Sequence, residues 1–268
     1  MLKNFKNELY DIIILAGQSN AEGWGYGSVE KAYMPNDNVW SMNYNFKSSE
    51  YTISPDSEKA CGNEIRSNFA LSFAQEYVQN GRLAEGRKLL IVRAAVGGTG
   101  FVDNRWKCTD DLYQNMISMA KTALSLNPQN RLIAMLWHQG ENEICAKIPY
   151  ETHFDYVMTL VRSSRAELNA SHLPFIAGDV VQAWKTARPD TAPPVINAIK
   201  DVCKDCGNGI FVETDGLFSN AQEFEKNPWN SGKCEDGIHF SRRSLYELGK
   251  RYYHAFVKID EAKKNQNV

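Results

Sequence analysis

Residues 12–16 are Ile12, Ile13, Ile14, Leu15 and Ala16, and they run without a polar interruption into Gly17-Gln18-Ser19-Asn20. A short apolar run with no polar face is the pattern of a strand buried on both sides, and such strands belong to parallel sheets covered by helices. The pattern recurs. Residues 88–93 read as a strand and lead towards Gly97-Gly98-Thr99-Gly100, and residues 131–137 read as another and lead into His138-Gln139-Gly140-Glu141. Residues 173–179 and 210–213 read as weaker strands. Helical periodicity fills the gaps, over residues 64–79, 111–126, 150–168 and 241–257. Strands alternating with helices build right-handed crossovers and a parallel sheet. The expected fold class is α/β, a three-layer α/β/α sandwich with a central parallel sheet, flavodoxin-like. Open sheets of this kind present reactive groups beyond the carboxyl ends of their strands.

Three stretches carry no periodicity: residues 26–62, 183–194 and 215–235. Loops of that length inside a domain are commonly functional, and all three flank the motifs, so they are expected to form the rim of a site. Ser241 or Ser244 is expected to cap the last helix, Ser244 with Glu247 matching a capping box. No repeat or linker breaks the chain, and residues 1–268 are read as one domain.

With 268 residues and a net charge of −2, acids and bases interspersed, the chain has neither the basic face of a nucleic-acid partner nor a polybasic membrane patch. No apolar run approaches a membrane span, and the first ten residues lack the apolar core of a signal peptide, so the chain as written is expected to be cytoplasmic, or secreted if a leader has been removed. The six cysteines are too sparse for a disulfide scaffold. Cys203 and Cys206 form a lone CxxC with only Cys234 as a third candidate ligand, so neither a metal nor any other cofactor is expected.

The chemistry sits in four blocks. Ser19 follows a strand and a turn-permitting glycine, and is the candidate nucleophile. A serine hydroxyl needs an adjacent base. His239 is the best of the five histidines, because Asp236 lies three residues before it on a predicted loop and can fold back onto Nδ1. Gly97-Gly98-Thr99-Gly100 is not a phosphate fingerprint, since neither GxGxxG nor GK[ST] is present; its glycines suit close approach of a backbone N–H to a substrate oxygen. The Gln139 amide can donate to developing negative charge without titrating. Glu141 reads either as a support for neighbouring loops or as a buried structural carboxylate, and HExxH, the helical zinc motif, is absent.

Together the blocks resemble the SGNH hydrolase superfamily, and within it the sialate O-acetylesterase-like branch and carbohydrate esterase family 6, the acetyl xylan esterase-like proteins. Gly17-Gln18-Ser19-Asn20 matches the nucleophile block, Gly97-Gly98-Thr99 the glycine block, His138-Gln139-Gly140-Glu141 the third block and Asp236-Gly237-Ile238-His239-Phe240-Ser241 the last. The resemblance implies a triad of Ser19, Asp236 and His239. It implies an oxyanion hole from the Ser19 and Gly98 N–H groups and the Gln139 side chain, with Gln18, Asn20 and Glu141 in support. It implies removal of O-acetyl groups from an acetylated carbohydrate, with acetylated xylan or its oligosaccharides favoured and acetylated sialic acid the alternative. Ala21 departs from the methionine many relatives carry. The Gly-x-Ser-x-Gly elbow of α/β-hydrolases is absent. Two rival readings are a catalytically silent carbohydrate-binding domain on the same scaffold and a metal-dependent hydrolase built on His138, Glu141 and cysteines. For sugar contact, Trp24, Tyr26, Trp106 and Trp184 are candidate platforms, and Arg105 or Arg188 candidate partners for a sugar carboxylate.

Overall fold

A computed structural model describes residues 2–27, 33, 35–61 and 64–266. The strands are β1 (Leu9–Gly17), β2 (Val39–Asn45), β3 (Glu50–Pro55), β4 (Lys59–Cys61), β5 (Glu64–Arg66), β6 (Arg87–Arg93), β7 (Arg131–His138), β8 (Phe175–Gly178) and β9 (Gly209–Val212). The helices are α1 (Ser19–Glu22), α2 (Phe69–Gln79), α3 (Asp111–Ser125), α4 (Glu141–Cys145), α5 (Tyr150–Glu167), α6 (Gln182–Thr186), α7 (Ala192–Asp205), α8 (Asn220–Lys226) and α9 (Arg242–Gln266). Seven strands form one sheet in the order β3-β2-β6-β1-β7-β8-β9, parallel except for the edge strand β3, and β4 pairs with β5 in a separate ribbon. The fold is the expected three-layer α/β/α sandwich.

The apolar run of β1 explains its central place. Residues 12–16 are at most 1% exposed, flanked in register by β6 on one side and β7 on the other. The crossover helices α3, α5 and α7 link β6, β7, β8 and β9 in turn, and α5 packs on α7. The second helical layer is the pair α2 and α9. At the amino end of β1, the fully buried Asp11 is held by Arg87, Arg131 and Tyr77. Burial pushes its carboxyl up, but those hydrogen bonds outweigh it and hold the group below the usual carboxylate range. That end of the sheet is closed by ion pairs, which leaves the carboxyl ends of β1, β6 and β7 as the open end.

The structure corrects several expected boundaries. Residues 64–66, expected as the first turn of a helix, form β5, and α2 begins at Phe69, where Asn68 caps it through Ala70 N and Leu71 N. The stretch 26–62, expected to be irregular, holds β2, β3 and β4; residues 28–32, 34 and 62 of it lie outside the described residues. The stretch 183–194 holds most of α6 and the start of α7, whose first turn tolerates prolines because it needs no N–H. The stretch 215–235 holds α8, which begins with a complete capping box between Ser219 and Gln222. Helix α9 starts at Arg242 and runs to Gln266, with Ser241 Oγ accepting from Ser244 N; the cap is Ser241, not Ser244 with Glu247.

Candidate active site

Gly17 closes β1 at φ +124°, and a Cβ there would lie 2.1 Å from the His138 carbonyl oxygen. Glycine is therefore required for β1 and β7 to stay paired to their last residues. Gln18 N then donates to His138 O at 3.0 Å, and the chain turns into the short α1, leaving Ser19 only 6% exposed beyond the strand end. Gly97 abuts it: a Cβ on Gly97 would sit 3.5 Å from Ser19 Cβ. Gly98 follows at φ +69° with open space around it, and its backbone is exposed.

Asp236 and His239 meet as the spacing predicts. His239 Nδ1 lies 2.9 Å from Asp236 Oδ2 and 3.0 Å from Oδ1, and His239 N donates to Oδ1 at 3.1 Å. A carboxylate at Nδ1 fixes the proton there and leaves Nε2 as the basic atom. Burial pushes the Asp236 carboxyl up, but hydrogen bonds from His239 and from Asn220 Nδ2, at 2.8 Å, outweigh it and keep it below its ordinary value. Asn220 opens α8, and its backbone N donates to His239 O at 2.9 Å. Nothing local in the sequence marks Asn220, because its role depends on α8 folding against the loop that carries His239.

Ser19 and His239 are connected through Asn20. The Asn20 side chain donates to Ile238 O at 3.2 Å and accepts from Phe240 N at 3.0 Å, gripping the backbone on both sides of His239. Its amide nitrogen also donates to Glu141 Oε1 at 2.6 Å. Glu141 is 1% exposed, and burial pushes its carboxyl up. The Ser19 hydroxyl makes no hydrogen bond to His239 in this structure; such contacts tighten on substrate binding in many hydrolases.

Trp24 stacks on the His239 ring, with centroids 5.3 Å apart and planes 22° apart. Trp24 Nε1 donates to Glu22 Oε2 at 3.1 Å, and the same oxygen accepts from Gly97 N at 3.0 Å. Glu22 thereby joins the glycine loop to the aromatic wall of the histidine. The Arg66 guanidinium lies 4.2 Å from the Trp24 ring centre, and its Nε and Nη1 are buried without a hydrogen-bond partner.

Gln139 differs from expectation in its surroundings. It is fully buried, and its amide nitrogen donates to Glu143 and, at 3.3 Å, to Gln18 Oε1. Glu143 in turn accepts from Phe101 N at 2.6 Å and Val102 N at 3.3 Å. Gln18 Oε1 also accepts from Asn142 N at 3.4 Å. Gln139 thus braces the exit of the glycine loop against α4, with its donor turned inward. His138 is fully buried, neutral and pushed down to about 3 by burial, with Nδ1 3.0 Å from the Tyr252 hydroxyl.

Of the aromatic candidates, Trp106 and Trp184 are buried and Trp24 and Tyr26 stand at the site. Arg105 pairs with Asp111, at 2.7 and 2.9 Å, and Arg188 lies over the Trp184 ring; neither is a free partner for a sugar carboxylate. Among the described residues no group of three metal-ligating side chains occurs, and no helix is long and apolar enough to cross a membrane.

A family model described as carbohydrate esterase, sialic acid-specific acetylesterase, matches residues 9–258. The chain belongs to that family. Over 93 residues, 32% of this chain and 28% of the relative, it is 30% identical to a probable 9-O-acetyl-N-acetylneuraminic acid deacetylase of Escherichia coli (strain K12). Over 182 residues, 62% of this chain and 66% of the relative, it is 25% identical to a probable carbohydrate esterase of Arabidopsis thaliana. The aligned segments therefore span under a third and about two thirds of those relatives. The crystal structure of NanS shares the fold at a TM-score of 0.77 and 19% identity, covering 96% of this chain and 99% of that one. The Arabidopsis protein's crystal structure does so at 0.69 and 18%, covering 92% and 98%.

Proposed function

We propose that the protein is a serine esterase that removes O-acetyl groups from carbohydrates through an acyl-enzyme. The carrying observation is the Asp236–His239 pair at 2.9 Å, held at the same strand ends as Ser19 by the Asn20 side chain. In this reading His239 Nε2 takes the Ser19 proton as Oγ attacks the acetyl carbonyl. Asp236 holds the tautomer and stabilises the imidazolium. The Ser19 and Gly98 N–H groups receive the oxyanion, each such donor contributing about 3 kcal/mol to the transition state. Gln139 joins them only if its amide turns away from Glu143. The tetrahedral adduct collapses as His239 protonates the departing sugar oxygen. Water, deprotonated by the same histidine, then releases acetate and restores Ser19.

Acetylated xylan and acetylated sialic acid remain the two substrates to separate. The family description and the name of the E. coli relative favour the sialate. The cation to test is Arg66, whose two unpartnered nitrogens lie buried beside the Trp24 ring that stacks on His239 and would meet a sugar carboxylate only if Trp24 moves. Acetate release from acetylated xylan, 9-O-acetylated sialic acid and 4-nitrophenyl acetate, with wild type and Arg66→Ala, tests both levels. A loss in Arg66→Ala confined to the sialate supports the acidic sugar; equal rates on all three substrates in both proteins oppose it. A fluorophosphonate that fails to label Ser19 would leave the silent carbohydrate-binding domain as the better reading.

A further inference from the structure

A cavity of about 490 Å³ opens on the β2 side of the sheet, between the β2–β3 hairpin and the end of β6. Glu22 is the partition. It lines this cavity, and its carboxylate accepts from Gly97 N, the residue packed against Ser19. The hairpin supplies Tyr44 and Phe46, whose rings meet edge to face at 4.8 Å. Phe46 is 54% exposed and, with Ile65, is one of two large apolar side chains left in water among the described residues. Asn43 and Asn115 add amides to the walls. Apolar rings with a few fixed polar groups are the composition of small-molecule sites.

The charges on the walls select among ligands. Arg93 is paired with Asp56 at 2.5 Å, Lys59 with Glu22 at 3.7 Å, and Glu58 with Arg242 at 2.5 Å. Among the described lining residues carboxylates outnumber cations, and each cation has an acid partner. An acidic sugar would find no spare cation among the described lining residues, whereas hydroxyl groups meet amides and carboxylates.

We infer that this cavity is a subsite for a neutral glycosyl unit adjoining the acetyl-bearing sugar, with Phe46 and Tyr44 as its platform, so that the substrate is an oligosaccharide rather than a free monosaccharide. The inference rests on the esterase reading for the position of the acetyl group, and not for the existence of the subsite. Binding and turnover therefore test it separately, with the full chain. Xylotriose serves as the neutral probe and trigalacturonate as the acidic one in titration calorimetry. Xylotriose is expected to bind, with affinity about five- to tenfold weaker in Phe46→Ala, and trigalacturonate to bind at least tenfold more weakly than xylotriose. In kinetics, the acetylated sugar joined to a neutral neighbour is expected to exceed the free acetylated sugar in kcat/KM, 9-O-acetylated sialyllactose over 9-O-acetylated sialic acid or acetylated xylotriose over acetylated xylose, with Phe46→Ala removing that advantage through KM and 4-nitrophenyl acetate turnover staying within twofold. Xylotriose binding without any esterase turnover would keep the subsite and remove the esterase reading. Equal binding of the two trisaccharides, or a Phe46→Ala effect of the same size on 4-nitrophenyl acetate, would overturn the proposal. Asn43→Ala, which removes an amide from the cavity wall, gives a second variant should Phe46→Ala fail to fold.

Discussion

Two histidines stand at the same end of the sheet, and their surroundings make them different chemical objects. His138 ends β7 inside the protein, fully buried, with a tyrosine hydroxyl on Nδ1 and no partner on Nε2. His239 lies on a loop, its side chain 18% exposed, with a carboxylate on Nδ1 and an indole against its ring. Without an acid partner, burial drives His138 down to about 3, so it stays neutral across the working range and can only pack and accept or donate one hydrogen bond. With Asp236 in place, an imidazolium at His239 has a counter-charge waiting. A base must accept a proton and survive as a cation, and only the second environment permits that.

Substitution should break this comparison most sharply at the two rings themselves. His239→Ala and Ser19→Ala are expected to lower turnover of 4-nitrophenyl acetate by at least about 10³-fold while the thermal midpoint stays near wild type. His138→Ala should do the reverse, costing about 2–4 kcal/mol of stability through the cavity and the lost hydrogen bond to the Tyr252 hydroxyl, which keeps its bond to Trp137 O, with kcat at low temperature within tenfold of wild type. Parallel thermal melts and initial rates check both. A catalytic collapse in a stably folded His138→Ala would reverse the assignment.

Asp236→Asn comes next. An asparagine can present its amide N–H to Nδ1, favouring the tautomer with the proton on Nε2, where a base is useless. A loss on the order of 10³- to 10⁴-fold in kcat is expected from that change alone. A loss under tenfold would show that Asp236 does not set the tautomer.

How far this site could be read from the chain depends on the range of each interaction. Asp236 and His239 lie three residues apart, and the contact their spacing predicts is the contact the structure makes. Residues 12–16 declared a central strand because both faces of it are covered. Strand β2 did not, because Trp40, Asn43 and Tyr44 are half exposed beside the edge hairpin, and the mixed pattern Val39 to Asn45 reads as polar loop. Asn20 was visible only as a neighbour of Ser19; its bonds reach across 218 and 220 residues of chain, and no local pattern encodes such a partner. The same holds for Asn220 and for Glu143, whose carboxylate satisfies backbone donors of the glycine loop. Gln139 was read for its chemistry, a neutral donor, and that property equally suits the buried brace in which it sits.

Asn20 offers a finer cut. Asn20→Ala removes the clamp on residues 238 and 240 without touching the side chains of Ser19 or His239, the proposed reacting pair. Displacing a base by a fraction of an ångström weakens proton transfer more than substrate binding. A ten- to hundredfold fall in kcat with KM within about twofold is expected, and the rate of fluorophosphonate labelling of Ser19 should fall in parallel. A change in KM alone would mean that Asn20 shapes the pocket and not the histidine.

The smallest effect concerns a third histidine, which extends the comparison from rate to stability. His153 on α5 is fully buried beside Phe101, and neither ring nitrogen has a partner. Burial pushes it down to about 3, whereas in the unfolded chain it titrates near about 6.5. Between those values the unfolded chain binds a proton that the folded chain does not, so stability rises with pH there. The contribution is complete above about pH 6.5 and is lost as pH falls towards about 3, at about 1 kcal/mol per pH unit in the middle of that window. Glu141 and Glu143, pushed up by burial, act in the opposite sense, binding protons more readily when folded. Those terms are common to wild type and to His153→Phe, so the difference between the two proteins isolates the histidine. Unfolding free energies from urea titrations at pH 7 and pH 4.5 should differ by about 2 kcal/mol less in His153→Phe than in wild type. Identical losses in both proteins would mean that His153 gains a proton in the folded state, and that burial alone does not keep a histidine neutral in this core.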